Sequence, residues 1–127
     1  MRRVVLTMLL AVAGSSAAAE WVWLGGNKIG IVYADPATIG REGSLVKMWD
    51  LMEYKATRTV GGKAYRSTRT HYEYDCGEGK SRLLDVIAYS EKMAGGEIVH
   101  KDERTRDWRP NLPDSGIEKL WKYACGK

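Results

Sequence analysis

The sequence contains two histidines, His71 and His100, and each lies within a predicted strand on a polar or mixed face. Strict alternation along Ser67–Cys76 places Glu73 and Asp75 on the same face of a predicted strand as His71. Such a group could hold a metal ion or perform acid–base catalysis. A solvated strand face of alternating charge explains the same pattern. We prefer that interpretation and expect no metal site and no cofactor.

Motifs that would identify an enzyme do not occur in the sequence. There is no G-x-S-x-G, no phosphate-binding loop and no H-E-x-x-H, and no acidic pair stands out as a matched acid and base. The sequence therefore predicts a protein without a catalytic residue. A periplasmic small-molecule-binding protein and an uncharacterised enzyme remain as alternatives.

The segment from Lys55 to Arg66 resembles a binding site more than any other part of the chain. It is predicted to be a polar loop around Gly61-Gly62, with tyrosines at its ends and no acidic residue. Its basic residues are Lys55, Arg58, Lys63 and Arg66. Such a loop could bind an acidic protein or another polyanion. It could equally be a solvated hairpin loop without a partner.

Trp108 is the tryptophan most suited to binding. It lies in a polar segment flanked by prolines and is expected to be exposed, whereas Trp21, Trp23, Trp49 and Trp121 are expected in the core.

Residues 1–19 have the three parts of a secretory signal peptide. Arg2 and Arg3 precede an apolar run, and small residues follow up to Ala19. We expect cleavage before Glu20, leaving one domain of residues 20–127 and no transmembrane segment. The periplasm is the preferred location, with secretion or the cell surface as alternatives.

The two cysteines, Cys76 and Cys125, both lie in the predicted mature chain. In an oxidising compartment they should form a disulfide, and neither a C-x-x-C motif nor a zinc-ligand set is present. Removing Arg2 and Arg3 from the 20 basic residues leaves 18 against 16 acidic ones, a net charge of +2. That small excess, together with export, argues against a nucleic-acid partner.

Alternating apolar residues predict about six mainly antiparallel strands, followed by a change to helical spacing. Ile117, Leu120, Trp121, Ala124 and Cys125 recur on one face of a helix, which Ser115 and Glu118 could cap. Both cysteines fall on the apolar face of their element. We therefore predict an α+β domain with one C-terminal helix disulfide-linked to one face of the sheet.

One helix cannot cover both faces of such a sheet. The strands that begin near Leu45 and Arg82 are apolar on both faces. Either the second face curls on itself or a second subunit covers it, so a homodimer is one hypothesis.

The sequence resembles the surface-adhesin protein E-like domains of bacterial envelope proteins, from about Trp21 to Cys125. The matching residues are Tyr33-Ala34-Asp35-Pro36, Ile39-Gly40-Arg41, Val46-Lys47-Met48-Trp49, Asp75-Cys76, Arg82, Tyr89-Ser90, Pro113, Ser115, Ile117, Leu120 and Cys125. The resemblance implies a six-stranded antiparallel sheet with a cysteine-linked C-terminal helix and a place in the envelope. It also implies binding of extracellular or envelope proteins. The named adhesin is a lipoprotein, and this chain has no lipidation cysteine near its predicted cleavage point.

Overall fold

The computed structural model describes residues 20–127, so the predicted signal peptide lies outside the described residues. The elements are β1 (Val22–Gly26), β2 (Gly30–Glu42), β3 (Leu45–Val60), β4 (Lys63–Asp75), β5 (Lys80–Tyr89), β6 (Ile98–Asp102), β7 (Arg109–Pro110) and the helix α1 (Gly116–Cys125). Within residues 20–127, no helix has the length and apolar character needed to cross a membrane.

The strands form one antiparallel sheet in the order β1-β2-β3-β4-β5-β6, and β7 pairs with the free part of β5. From β1 to β6, each strand therefore pairs with its neighbour in sequence, as short connections between strands permit. This arrangement, with one C-terminal helix against the sheet, confirms the predicted α+β architecture.

The main core lies between α1 and the sheet. Val46, Met48 and Tyr74 are fully buried on the helix side, where they pack with Leu120 and Ala124 of the helix. Alternate residues share one face of a strand, and residues four apart share one face of a helix. The even-numbered strand residues and the two helix residues therefore pack together in one layer.

Three kinds of contact fix the position of α1. At its start, the Ser115 hydroxyl accepts the Glu118 N–H at 3.2 Å, and at its end Gly126 takes a left-handed conformation. The Cys76–Cys125 disulfide joins helix to sheet, with the Cα atoms 5.6 Å apart. The indole N–H of Trp121 also donates to the carbonyl of Asp75 at 2.9 Å. The predicted disulfide is thus confirmed, and it joins the elements that the apolar patterns indicated.

The prediction of a polar loop over Lys55–Arg66 is wrong. Residues 58–60 pair with 63–65, so β3 and β4 continue as a hairpin that turns at Gly61-Gly62. Both glycines have positive φ, 56° and 79°, which a two-residue type I′ turn requires. Thr57, Thr59, Val60 and Tyr65 are of residue types that favour paired strands, a signal that the density of charge concealed.

Asp35-Pro36 lies within β2 rather than at its end. β2 continues through it with an irregularity between Asp35 and Gly40, where its pairing with β3 is interrupted. A bulge of this kind accommodates proline, because the missing N–H is not needed for the ladder.

Candidate functional site

The side of the sheet that faces away from α1, here called the open face, carries a stack of aromatic and cationic side chains. Trp49 and His71 are paired across β3 and β4, and their rings stack with centroids 4.6 Å apart. The Arg69 guanidinium lies 4.6 Å from the Trp49 ring and 5.8 Å from the Trp21 ring. These contacts are cation–π and stacking interactions, which favour a fixed arrangement of flat side chains.

The open face has a small core of its own. Leu51 is fully buried although it lies opposite the helix, and its register partner on β4 is Arg69. The cluster around Arg69 therefore covers part of the second face. Trp49 belongs to this cluster, and Trp23, expected in the core, is 64% exposed.

His71 does not form the metal or acid–base group that was considered as an alternative. Its Nδ1 lies 3.0 Å from Asp85 Oδ2 on the neighbouring strand. Glu73 is paired with Arg82 at 2.7 Å, and Asp75 accepts the backbone N–H groups of the following turn. Among residues 20–127 no group of three or more metal-ligating side chains is assembled. His100 lies exposed on β6, paired with Ala88 rather than beside His71.

The hairpin Lys55–Arg66, here called the basic arm, extends beyond the neighbouring strands. The pairing of β2 with β3 ends at Tyr54, and that of β5 with β4 ends at Ser67. Lys55, Arg58 and Lys63 are exposed and Arg66 is half-buried. None of the four forms an ion pair with another residue of the described chain. The arm is therefore a projecting segment with four uncompensated positive charges.

Aromatic residues support the base of the arm. The Arg58 guanidinium lies 4.9 Å from the Tyr54 ring, and Tyr54 meets Tyr65 edge to face at 5.7 Å. The arm is thus held by its own side chains as well as by the ladder.

Trp108 is half-buried and does not join the basic arm. The Arg82 guanidinium lies 4.7 Å from its ring, and the Lys80 ammonium lies 5.8 Å away. Lys80 pairs with Asp75 at the far end of β4, whereas Arg66 lies near its start. At about 3.3 Å per residue, the two places are roughly 30 Å apart. The predicted binding residues therefore form two separate locations.

A cleft on the helix side was not predicted. It has a volume of about 300 Å³ and lies between β3, β4 and the start of α1. Its lining residues are Asn27, Ile29, Val32, Asp50, Met52, Tyr54, Thr68, Thr70, Tyr72, Ser115, Gly116, Ile117 and Leu120. A second cleft of about 440 Å³, which also involves Tyr72 and Ile117, lies towards the segment 106–112. The two clefts adjoin along the helix.

Asp50 is a buried carboxylate in the wall of the first cleft. It is 2% exposed, and burial raises its pKa from 3.8 to about 7, against the opposing effect of hydrogen bonding from Thr70 and the charge of Arg69. Its Oδ1 accepts a hydrogen bond from the Thr70 hydroxyl, whereas Oδ2 has no hydrogen-bond partner within residues 20–127. Burial also raises the pKa of Tyr54 and of Tyr72. A sequence pattern that could have indicated this site is the position of Asp50, a carboxylate, between Met48 and Met52 on the core face of β3.

The fold defines a small disulfide-linked domain: a six-stranded antiparallel meander with one helix packed on it. Residues 21–126 match the surface-adhesin protein E family, and the chain belongs to that family. This confirms the family resemblance. No protein of curated function matches the sequence.

Solved structures of protein E from Haemophilus influenzae have the same fold. Crystal form II aligns with a TM-score of 0.68 at 15% identity, covering 87% of this chain and 90% of that one. Another structure of that protein gives 0.65 at 14% identity, with 87% and 86% covered. The protein from a non-typeable strain gives 0.62 at 14% identity, with 87% and 78% covered. At 14–15% sequence identity, these comparisons show a shared fold.

Proposed function

We propose that this chain is an exported, non-enzymatic envelope protein that binds extracellular or envelope proteins, and that the basic arm makes the first contact. The observation that carries the proposal is the geometry of the arm: four positive charges on a hairpin that extends past both neighbouring strands. Membership of a surface-adhesin family supports a protein partner and an envelope location.

An acidic protein surface is the partner that the arm suits best. Exposed, unpaired cations attract an acidic partner over a distance and guide its approach, and such attraction weakens as salt is added. The adjoining open face offers tryptophan, tyrosine and arginine, the residue types that dominate the energy of protein interfaces. Exposed Trp23 and Ile98 lie on that face.

Self-association is a weaker proposal for the open face. Leu51 is already buried by its own chain, so the apolar area left for a second copy is reduced. Sedimentation of the purified protein at micromolar concentration as a monomer would remove the homodimer without affecting the arm.

The binding test compares two variants of equal charge. In the arm variant, Lys55, Arg58, Lys63 and Arg66 are changed to glutamine. In the control variant, the exposed residues Lys47, Lys101, Lys119 and Lys127 are changed instead. Binding to a panel of purified extracellular-matrix proteins is measured at low and at physiological salt.

We expect the arm variant to bind roughly tenfold or more weakly than the wild type, and the control variant to stay within about threefold of it. The loss should shrink as salt is raised, because screening already weakens the wild-type contact. Equal losses in both variants would show that net charge alone causes binding, and that result would overturn the role of the arm.

A further inference from the structure

The cleft beside Asp50 has a use that is independent of the basic arm. The arm projects from the sheet, whereas Asp50 lies on the helix side of β3, under the start of α1. A cleft of about 300 Å³ lies at the lower end of the range for small-molecule sites, and its wall is mostly apolar and aromatic.

Asp50 gives this cleft a definite chemistry. An enclosed carboxylate oxygen that accepts no hydrogen bond is costly, and a donor that reaches it relieves that cost. The Thr70 hydroxyl already serves the other oxygen. A ligand therefore needs to supply one N–H or O–H donor to Oδ2, and a positively charged donor gives the stronger bond.

The groups around Asp50 favour a positively charged ligand in this cleft over a negatively charged one. Tyr54, Tyr72 and Tyr74 are the titratable groups that face it on its own side of the sheet, and burial raises the pKa of each, so all three are neutral. Arg69 acts on it from the open face. The residues of α1 and its cap that line the cleft, Ser115, Gly116, Ile117 and Leu120, carry no charge. Within this cleft the negative charge of Asp50 has no ion-pair partner.

Size narrows the choice of cation. The start of α1 lies close to β2, since a Cβ atom added at Gly116 would sit 3.3 Å from Val32 Cγ2. Asp50 is also almost fully enclosed. A cation must be narrow to approach an enclosed carboxylate. An ammonium group on an unbranched stem meets that requirement better than a quaternary ammonium, which is bulkier and has no N–H to donate. The rings of Tyr54 and Tyr72 offer contact surface to an apolar or aromatic stem.

We propose that the cleft between β3, β4 and the start of α1 binds a small primary amine, whose ammonium group donates to Asp50 Oδ2 while its apolar stem packs against Met52, Tyr54 and Tyr72.

The probe is 2-phenylethylamine, titrated into protein purified from a host that expresses the full chain. Binding is followed by chemical-shift changes in two-dimensional NMR. The uncharged analogue 2-phenylethanol is the ligand control. Asp50→Asn removes the charge and keeps the shape. Asp35→Asn is the matched protein control, because Asp35 is also buried, with an oxygen that has no partner in the described chain, but lies on the open face.

At pH 8 we expect saturable shifts centred on Thr70, Tyr72 and Ile117, weakened roughly tenfold or more by Asp50→Asn and unchanged by Asp35→Asn. Affinity should fall by roughly tenfold between pH 8 and pH 6 as Asp50 takes up a proton, since the amine stays charged across that range. Equal binding of 2-phenylethanol, equal binding by Asp50→Asn, or no shifts at millimolar amine would each overturn the proposal. Because none of these readouts involves the basic arm, failure here leaves the proposed protein binding unaffected.

Discussion

At Asp50, burial and ionisation oppose each other within the physiological pH range. The folded protein holds its proton up to a pKa of about 7, whereas the unfolded chain releases it near 3.8. Between these values the unfolded state binds fewer protons, so stability falls as pH rises from about 4 to 7 and levels off above that. A shift of about three units corresponds to a loss on the order of 4 kcal/mol.

Asp50→Asn should therefore stabilise the protein at pH 8 by about 2–4 kcal/mol, because it removes a charge that burial disfavours. At pH 4 Asp50 is protonated in the folded state and about half ionised in the unfolded chain, so the variant and the wild type should differ in stability by less than about 1 kcal/mol. Urea unfolding at the two pH values measures both differences. A gap of the same size at pH 4 and pH 8 would contradict the buried, perturbed carboxylate.

The alternation of residue types along a strand predicts which face of the sheet each side chain lies on. It does not predict what packs against that face, so some residue contacts were predicted and others were missed. The alternation correctly placed Cys76 on the helix side and His71 on the other. It could not show that Asp85 rather than Glu73 lies beside His71, because that pairing depends on the register of β4 with β5. Asp50 was missed because its burial depends on the helix above it.

Among the elements, the β2–β3 pair shows how closely two backbones can approach. A Cβ atom added at Gly30 would overlap the carbonyl oxygen of Glu53. That oxygen belongs to the backbone, so it cannot move away by a change of side-chain rotamer. Gly40, on the same strand, has nothing within 4 Å of the corresponding position. The two glycines therefore form a matched pair within one element.

Gly30→Ala should destabilise the protein by about 1–3 kcal/mol, since the strands must separate locally to admit the methyl group. Gly40→Ala should change stability by less than about 0.5 kcal/mol. Thermal or urea unfolding of both variants gives the comparison. Equal effects would indicate that the register in which Gly30 faces Tyr54 is wrong.

Element boundaries were harder to predict than element types. The helix and its Ser115 and Gly126 caps follow directly from local signals. The basic arm was expected to be a loop, because its charge suggested solvent and its Gly61-Gly62 turn was not recognised as a hairpin turn. The strand that was expected to begin near Arg82 begins at Lys80 and ends at Tyr89, after which the chain turns and the Ser67 hydroxyl donates to the carbonyl of Glu91.

For the molecule as a whole, the helix gives the two sheet faces different roles. The helix side holds the main core, the disulfide and the Asp50 cleft. The open face holds the stack of Trp49, Arg69 and His71, and the basic arm projects from one end of the sheet. The proposed protein contact and the proposed amine cleft therefore lie at different places on the domain, although Tyr54 contacts Arg58 of the arm and also lines the cleft.

A domain that binds extracellular or envelope partners must leave the cytoplasm, so its location and intact mass in native cells test that claim most directly. We expect the protein in the periplasmic, surface or medium fraction, as a chain that begins at Glu20 and lacks the two thiol hydrogens of Cys76 and Cys125. A cytoplasmic protein that retains residues 1–19 and two free thiols would contradict it.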